Sequence, residues 1–161
     1  MIERWNAKVK PGDTVYHLGD VVINKKYLPL VSRLNGRKIL IRGNHDIFGD
    51  DDYYNVGFEQ IHGVRVFVDK FVMSHIPLHP DCVTDRFKVN VHGHLHANEV
   101  TWTPKHPKQV QVDPRYLCVS VEHTNYEPLH FDEVQARIDK RWAETGYTNP
   151  VRAWGNGSGP G

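Results

Sequence analysis

Sulfur is scarce in this 161-residue chain, which holds two cysteines and two methionines. Cys82 and Cys118 stand alone with no CxxC pair, which disfavours a thiolate zinc site and the closed, cysteine-rich tetrahedra of structural zinc domains. A disulfide between them is open, although two reduced thiols is the simpler reading. An excess of charge is also lacking: Lys and Arg number 20, Asp and Glu 19, for a net +1. That balance excludes the electrostatic footprint of a nucleic-acid coat or a polybasic membrane binder. No apolar run approaches the roughly 20 residues that span a bilayer, so no membrane partner is expected. The opening MIERWNAKVK has no continuous apolar region of the kind a signal peptide needs. A cytoplasmic location is the expectation. No internal repeat and no linker divides the chain. The length supports one domain with a real core. The reading is a domain over 1–145 and a flexible tail over 146–161, whose GNGSGPG lacks side chains that pack.

What the chain does have is histidine, eleven of them, suited at neutral pH to act as uncharged ligands. His62, His106, His123 and His130 read as surface or turn residues. Most of the others fall in a repeated design. YHLGDV, LIRGNHD, FVMSHIPL and VNVHGHLH are apolar runs that end abruptly in Asp, Asn or His. Buried strands look like this when their carboxyl ends deliver groups to a shared site. The groups so delivered, Asp20, Asn44, His45, His75, His94 and His96, are oxygen and imidazole donors that suit hard or borderline divalent cations.

The remaining chain is punctuated clearly. Ile2, Trp5 and Val9 fall at helical spacing until Pro11-Gly12. Strands are expected at Thr14–Leu18, Lys38–Arg42 and Lys88–His92. Lys25–Leu34 reads as a helix with Leu28, Val31 and Leu34 inward, and Pro29 inside it suggests a start near residue 28 or an irregular first turn. Phe48–Asn55 reads as a loop or short helical turn. Glu59–His62 and Val64–Val68, joined at Gly63, read with Lys70–Ser74 as antiparallel strands feeding His75. Pro77–Arg86 is a loop and 103–108 a turn or flap, in which Lys105 and Lys108 with Trp102 could edge a cleft. Gln109–Val112 and Arg115–Val121 read as a closing hairpin, and 131–143 as a terminal helix with Val134, Ile138 and Trp142 on one face.

Each motif has an ordinary reading beside the chemical one. In GHLH, His94 and His96 are two apart and share a side of an extended backbone, but an HxH pair is as often a polar strand face. In RGNHD, Gly43 permits a sharp turn, the Asn44 amide can ligate, the His45 imidazole can donate a proton, and Asp46 can fix its tautomer. The same letters are ordinary loop composition. Asp20 after LG offers a carboxylate able to bridge two cations, or simply a helix cap. His75 alone reads as a histidine at a strand end. His17 is a poor ligand, being three positions before Asp20 on the opposite side of an extended strand.

Taken in order, GD, GNHD, a lone His after an apolar strand and GHxH resemble the calcineurin-like metallophosphoesterases, from Asp13 to about Pro128. The phrases IERWNAKVKPGDTVYHLGDV, NGRKILIRGNHD and VNVHGHLHAN look most like the small bacterial and phage members. The resemblance implies an α/β fold, a two-sheet β-sandwich flanked by helices, with metals at the strand ends. It implies that Asp20 bridges two metals, that Asn44, His75 and His94 complete one, and that His96 binds the other. His45 would contact the substrate phosphate and assist the leaving group, oriented by Asp46, and Arg42 would add positive charge nearby. Two cations about 4 Å apart neutralise a phosphate and supply hydroxide near neutral pH for hydrolysis of a phosphodiester or phosphomonoester. Manganese, iron, zinc and nickel all occur in the family, and these ligands do not choose among them. Small phosphoesters or nucleotides are the implied partners, with nucleic acid left open.

The resemblance departs at its start. The family opens with a strand ending in Asp-x-His, and this chain carries no such motif. Met1 falls inside what resembles the following helix. Truncation is the favoured account, ahead of a variant that binds without cleaving, or a strand donated by another chain. In the family that strand is central, so its neighbours would be left with open edges that invite pairing with a second copy.

Overall fold

The structure is a computed structural model, described here for residues 1–67, 70–83, 87–102 and 110–148. It is a mixed α/β fold with two larger sheets. The first holds β1 (Thr14–His17), β2 (Arg37–Ile41) and β3 (Phe58–His62) in the order β1-β2-β3, all parallel. The second holds β4 (Val64–Phe67), β5 (Phe71–Ser74), β6 (Val89–His92) and β9 (Tyr116–Cys118) in that order. β4 runs antiparallel to β5, and β5, β6 and β9 are mutually parallel. A two-stranded ribbon pairs β7 (Thr101–Trp102) with β8 (Gln111–Val112).

β2 shows why these sequences become strands. Its last four residues are buried, and neighbours along a strand face opposite sides. Ile41 packs with Phe71 and Met73 of β5, Val89 and Val91 of β6 and Leu117 of β9. Leu40, on the other side, packs with Leu28, Val31, Tyr53 and Phe58. The β2 strand therefore joins two cores. Helix α3 (Phe131–Thr145) sends Val134 and Ile138 into the first of them, with Trp142 packed beside. Its start is a capping box, in which the Glu133 carboxylate accepts from the His130 amide at 2.8 Å. The opposite face of the second sheet is polar yet closed. Asn90 donates to Ser74 Oγ at 2.9 Å and accepts from the Leu78 amide at 2.8 Å, pinning the loop after β5 across it.

Three expectations are corrected. Lys25–Arg33 is a run of 3₁₀ turns rather than an α-helix. Pro29 in its middle has no N–H to donate and its ring crowds the preceding turn. β3 and β4 do not pair with each other: one intervening residue, Gly63, is too short for a hairpin. β3 instead reaches β2 in parallel after the short helix α2 (Asp50–Asn55). The expected closing hairpin is likewise divided. β8 pairs with β7, and β9 joins the free edge of β6, where Leu117 meets the core. Two residues past 145 are placed against α3. Gly146 closes α3 at φ +63°, and the Tyr147 ring lies 5.5 Å from that of Trp142. The rest of the expected tail and the 103–108 flap lie outside the described residues.

Helix α1 (Ile2–Lys8) leads into β1, which sits at the edge of its sheet. A groove of about 1650 Å³ lies beside it, and its lining includes Tyr16, Leu18, Met73, Val91 and Val119 as well as Asp20, His75, His94 and His96. Among the described residues, no helix is long and apolar enough to cross a membrane.

Candidate metal centre

The parallel strands β1, β2, β5 and β6 end on one side of the molecule, and the loops that follow them carry the predicted donors. One ligand atom from each of Asp20, His75 and His94 lies within 4.8 Å of the others. Among the described residues this is the one group of three or more His, Cys, Asp or Glu donors so placed. His75 is its buried centre. Its Nδ1 lies 2.6 Å from the Leu18 carbonyl oxygen, which can only accept, so the proton sits on Nδ1. In the neutral ring Nε2 then carries the lone pair. That atom faces Asn44 Oδ1 at 3.0 Å, Asp20 Oδ2 at 3.3 Å and His94 Nδ1 at 3.2 Å. A single His94 proton can satisfy one of these contacts. Two oxygens remain turned toward a lone pair, an arrangement that a cation resolves. The donor set fits a divalent ion of borderline hardness.

Backbone geometry makes this convergence attainable. Asp20, His94 and His96 adopt φ of +54°, +67° and +52°, which side-chain-bearing residues seldom adopt outside functional loops. Gly19, at φ +88°, lies so close to the next strand that a Cβ there would stand 2.5 Å from the Gly43 amide nitrogen and 2.6 Å from His75 Nδ1.

The other predicted residues fall around this group with different partners. His45 is exposed, and its backbone amide donates to Asp20 Oδ1 at 2.9 Å. Among the described residues, no hydrogen bond joins the Asp46 carboxylate to the His45 ring. That buried carboxylate accepts from the amides of Asp20, Val21 and Gly43 at 2.8, 2.9 and 2.8 Å, with the Tyr53 hydroxyl at 3.3 Å. It holds the β1 and β2 loops together, because the turn at Gly43 brings the Asp46 side chain back onto its own strand end. His96 stands outside the Asp20–His75–His94 group. The expectation that it shares a side with His94 assumed extended backbone, and the left-handed conformation at both residues breaks that alternation. Its Nδ1 instead meets Glu122 Oε1 at 3.0 Å. The Glu122 carboxyl is held below the usual range by a backbone hydrogen bond at its own residue and then by His96. Arg42 pairs with Asp50 and lies over the Tyr53 ring at 5.3 Å, so its charge is turned to α2. His17 also lies outside the group. Its Nδ1 is sealed without a partner, and burial lowers its pKa against the pull of Asp46 and Asp20.

Sequence reasoning missed Glu122. Its one signal is that VSVEH, following β9, repeats the design of an apolar run closed by donors.

The fold and the site define a mixed α/β protein with a candidate divalent-metal centre at its strand ends. The chain is 33% identical over 150 residues to the uncharacterized protein MJ1445 of Methanocaldococcus jannaschii, covering 87% of this chain and 74% of that protein. It belongs to the same family as that protein. Its fold is shared with the crystal structure of AQ665 from Aquifex aeolicus, a protein of unknown function, at a TM-score of 0.58 and 24% identity over 84% of this chain and 82% of that one. A structurally characterised archaeal phosphodiesterase aligns at a TM-score of 0.44 and 22% identity, over 71% of this chain and 73% of that one. No model of a known protein family matches the chain.

Proposed function

We propose that this chain is a metallophosphoesterase of the calcineurin-like type, its two sheets forming that family's sandwich, and that it hydrolyses a phosphodiester or phosphomonoester. One observation carries the reading: His75 Nε2 is confronted by Asp20 Oδ2, Asn44 Oδ1 and His94 Nδ1 within 3.3 Å. Asp20, Asn44, His75 and His94 would hold one divalent cation. Such an ion, when bound, neutralises phosphate charge and lowers the pKa of water. The chain's own residues do the rest. The Asp20 carboxylate, anchored by the His45 amide, couples the metal group to the loop that presents His45. The exposed His45 imidazole is free to meet a substrate phosphate and to protonate a departing oxygen. Asp46 keeps the two loops in register through the backbone.

The test is hydrolysis of bis-p-nitrophenyl phosphate and p-nitrophenyl phosphate with added manganese. Turnover that disappears in His45→Ala while bound metal is retained supports the assignment. Absence of turnover with every divalent metal overturns it.

A second reading, binding of a nucleotide, nucleic acid or protein without turnover, draws on the placement of His96 outside the Asp20–His75–His94 group. Binding of one metal equivalent and of nucleotide without hydrolysis would favour it. Under either reading we propose that the open edge of β1 pairs with a second copy of the chain. Light scattering at micromolar concentration tests this, and a strictly monomeric profile counts against it.

A further inference from the structure

The four loops that carry the donors are poor in cations and hold uncovered isoleucines. Residues 18–24, 42–49, 75–79 and 93–100 contain one Lys or Arg between them, Arg42, and its guanidinium is taken by Asp50 and the Tyr53 ring. The same loops contain Ile23, Ile47 and Ile76, exposed to 73%, 77% and 50%. Among the described residues no other isoleucine is exposed.

A single exposed apolar side chain needs no explanation. These three are held out by their neighbours. Ile23 lies between Val21, whose amide donates to Asp46 Oδ1 at 2.9 Å, and Asn24, whose side chain accepts from the Lys26 amide at 3.1 Å. The Ile47 amide donates to the His45 carbonyl at 2.9 Å, so Ile47 belongs to the turn that presents His45. Ile76 directly follows the buried His75, and its carbonyl accepts from Ser74 Oγ at 2.7 Å.

Charge narrows the ligand. A divalent ion on Asp20, Asn44, His75 and His94 would meet one carboxylate and three neutral donors, which leaves a net charge of about +1. A phosphodiester, a monoanion, cancels that charge. A phosphomonoester carries about −1.5 to −2 at pH 7 and exceeds it. The buried Asp46 carboxylate, bonded to the same loops, adds to the excess. The His45 proton goes to the leaving oxygen under the reading above, so it is no standing counter-charge.

We propose that the site is built for a phosphodiester with an apolar ester arm, in preference to a phosphomonoester, and that Ile23, Ile47 and Ile76 receive that arm. The inference rests on the metallophosphoesterase reading and narrows it. Hydrolysis adds the elements of water across the P–O bond to the leaving arm, giving an alcohol and the monoester of the arm that stays. Contacts with a non-reacting arm raise kcat/KM when they are strongest in the transition state.

Two measurements test it. The first compares three esters of one leaving group with added manganese: phenyl p-nitrophenyl phosphate, methyl p-nitrophenyl phosphate and p-nitrophenyl phosphate. The phenyl diester should exceed both others in kcat/KM by about tenfold or more. The ratio of phenyl to methyl diester should collapse in a double variant, Ile23→Ser with Ile47→Ser, and Ile47→Lys should narrow the gap to the monoester. The second is methyl NMR of isoleucine in the zinc-loaded protein. Diphenyl phosphate should shift the signals of Ile23, Ile47 and Ile76 and leave those of the buried Ile39, Ile41 and Ile138, and dimethyl phosphate should shift them far less. Monoester cleaved as well as the phenyl diester, a phenyl preference that survives the double variant, or isoleucine signals indifferent to diphenyl phosphate overturns the proposal while leaving the hydrolase reading standing. Absence of turnover of all three esters with every divalent metal is a different result: it removes the underlying reading, and the proposal with it.

Discussion

The imidazole of His75 donates from Nδ1 to the Leu18 carbonyl at 2.6 Å, and this bond decides which of its nitrogens faces the donor group. Leu18 directly follows β1 and His75 directly follows β5, so one hydrogen bond ties the ends of the two sheets together. Because the acceptor is a backbone carbonyl, substitution of the Leu18 side chain leaves it in place, and the bond aims the lone pair at Asp20, Asn44 and His94.

A cation in that position must therefore stabilise the folded chain. Linkage gives about 2.7 kcal/mol at a free ion concentration one hundred times Kd. For a domain of this size that is a rise of several degrees in melting temperature. Scanning calorimetry with and without manganese, followed by chelator, should show the rise and its reversal. His75→Ala should show neither. An unchanged melting temperature in the wild-type protein would remove the metal centre.

Asp46 should matter more to stability than to chemistry. Its carboxylate is the acceptor for three backbone amides of two separate loops, and stranding buried N–H groups costs about 1–3 kcal/mol each. Asp46→Ala is expected to lose about 3 kcal/mol or more in urea denaturation. Asp46→Asn, which keeps the shape and one carbonyl oxygen, should lose less. A variant as stable as the parent would show that water replaces the carboxylate.

The contrast between Asp46 and His75 shows what was legible in the sequence. An apolar run ended by a donor reports that a buried strand delivers something, and Asp20, His75 and His94, which the structure brings together, are legible in this way. It does not report direction. Asp46 follows His45 immediately, and adjacency read as contact, but a turn sends consecutive side chains apart. Alternation likewise identified Glu59–His62 and Val64–Val68 as strands without saying which edges they join. That choice is made by the two cores, on which Phe58 and Phe67 fall in different places. Glu122 escaped notice because its partner, His96, is 26 positions away, and only the β6–β9 pairing brings the two together.

Tyr53 makes stability fall at alkaline pH. Burial, and next the charge of Asp46, push its hydroxyl up to about 12 from the ordinary 10.0. The folded state thus keeps a proton that the unfolded chain releases. The associated stability, on the order of 2 kcal/mol, is fully present below pH 10 and is lost as pH rises toward about 12. Tyr116, likewise raised to about 12 by burial, falls in the same window. Denaturant melts across that range should show a steep decline, and Tyr53→Phe should remove part of it. If the slope survives Tyr53→Phe undiminished, the titration belongs to other groups.

Gly19→Ala should damage the site out of proportion to the size of a methyl group. The position is left-handed, which costs an alanine about 1–2 kcal/mol. The new carbon would also stand 2.5 Å from the Gly43 amide nitrogen and 2.6 Å from His75 Nδ1. The first neighbour is backbone and the second is the nitrogen that binds Leu18, so relief of the clash must either separate the β1 and β2 loops or rotate the imidazole off its acceptor. Either movement spoils the alignment of His75 Nε2. Manganese affinity measured by calorimetry should therefore fall at least tenfold, the equivalent of about 1.4 kcal/mol, in protein that still melts cooperatively. Gly12→Ala is the matched control, since a Cβ there meets nothing within 4 Å. It should change stability by no more than about 0.5 kcal/mol and leave affinity alone. Equal manganese affinity in the two variants would mean that close approach at Gly19 has no part in holding the imidazole.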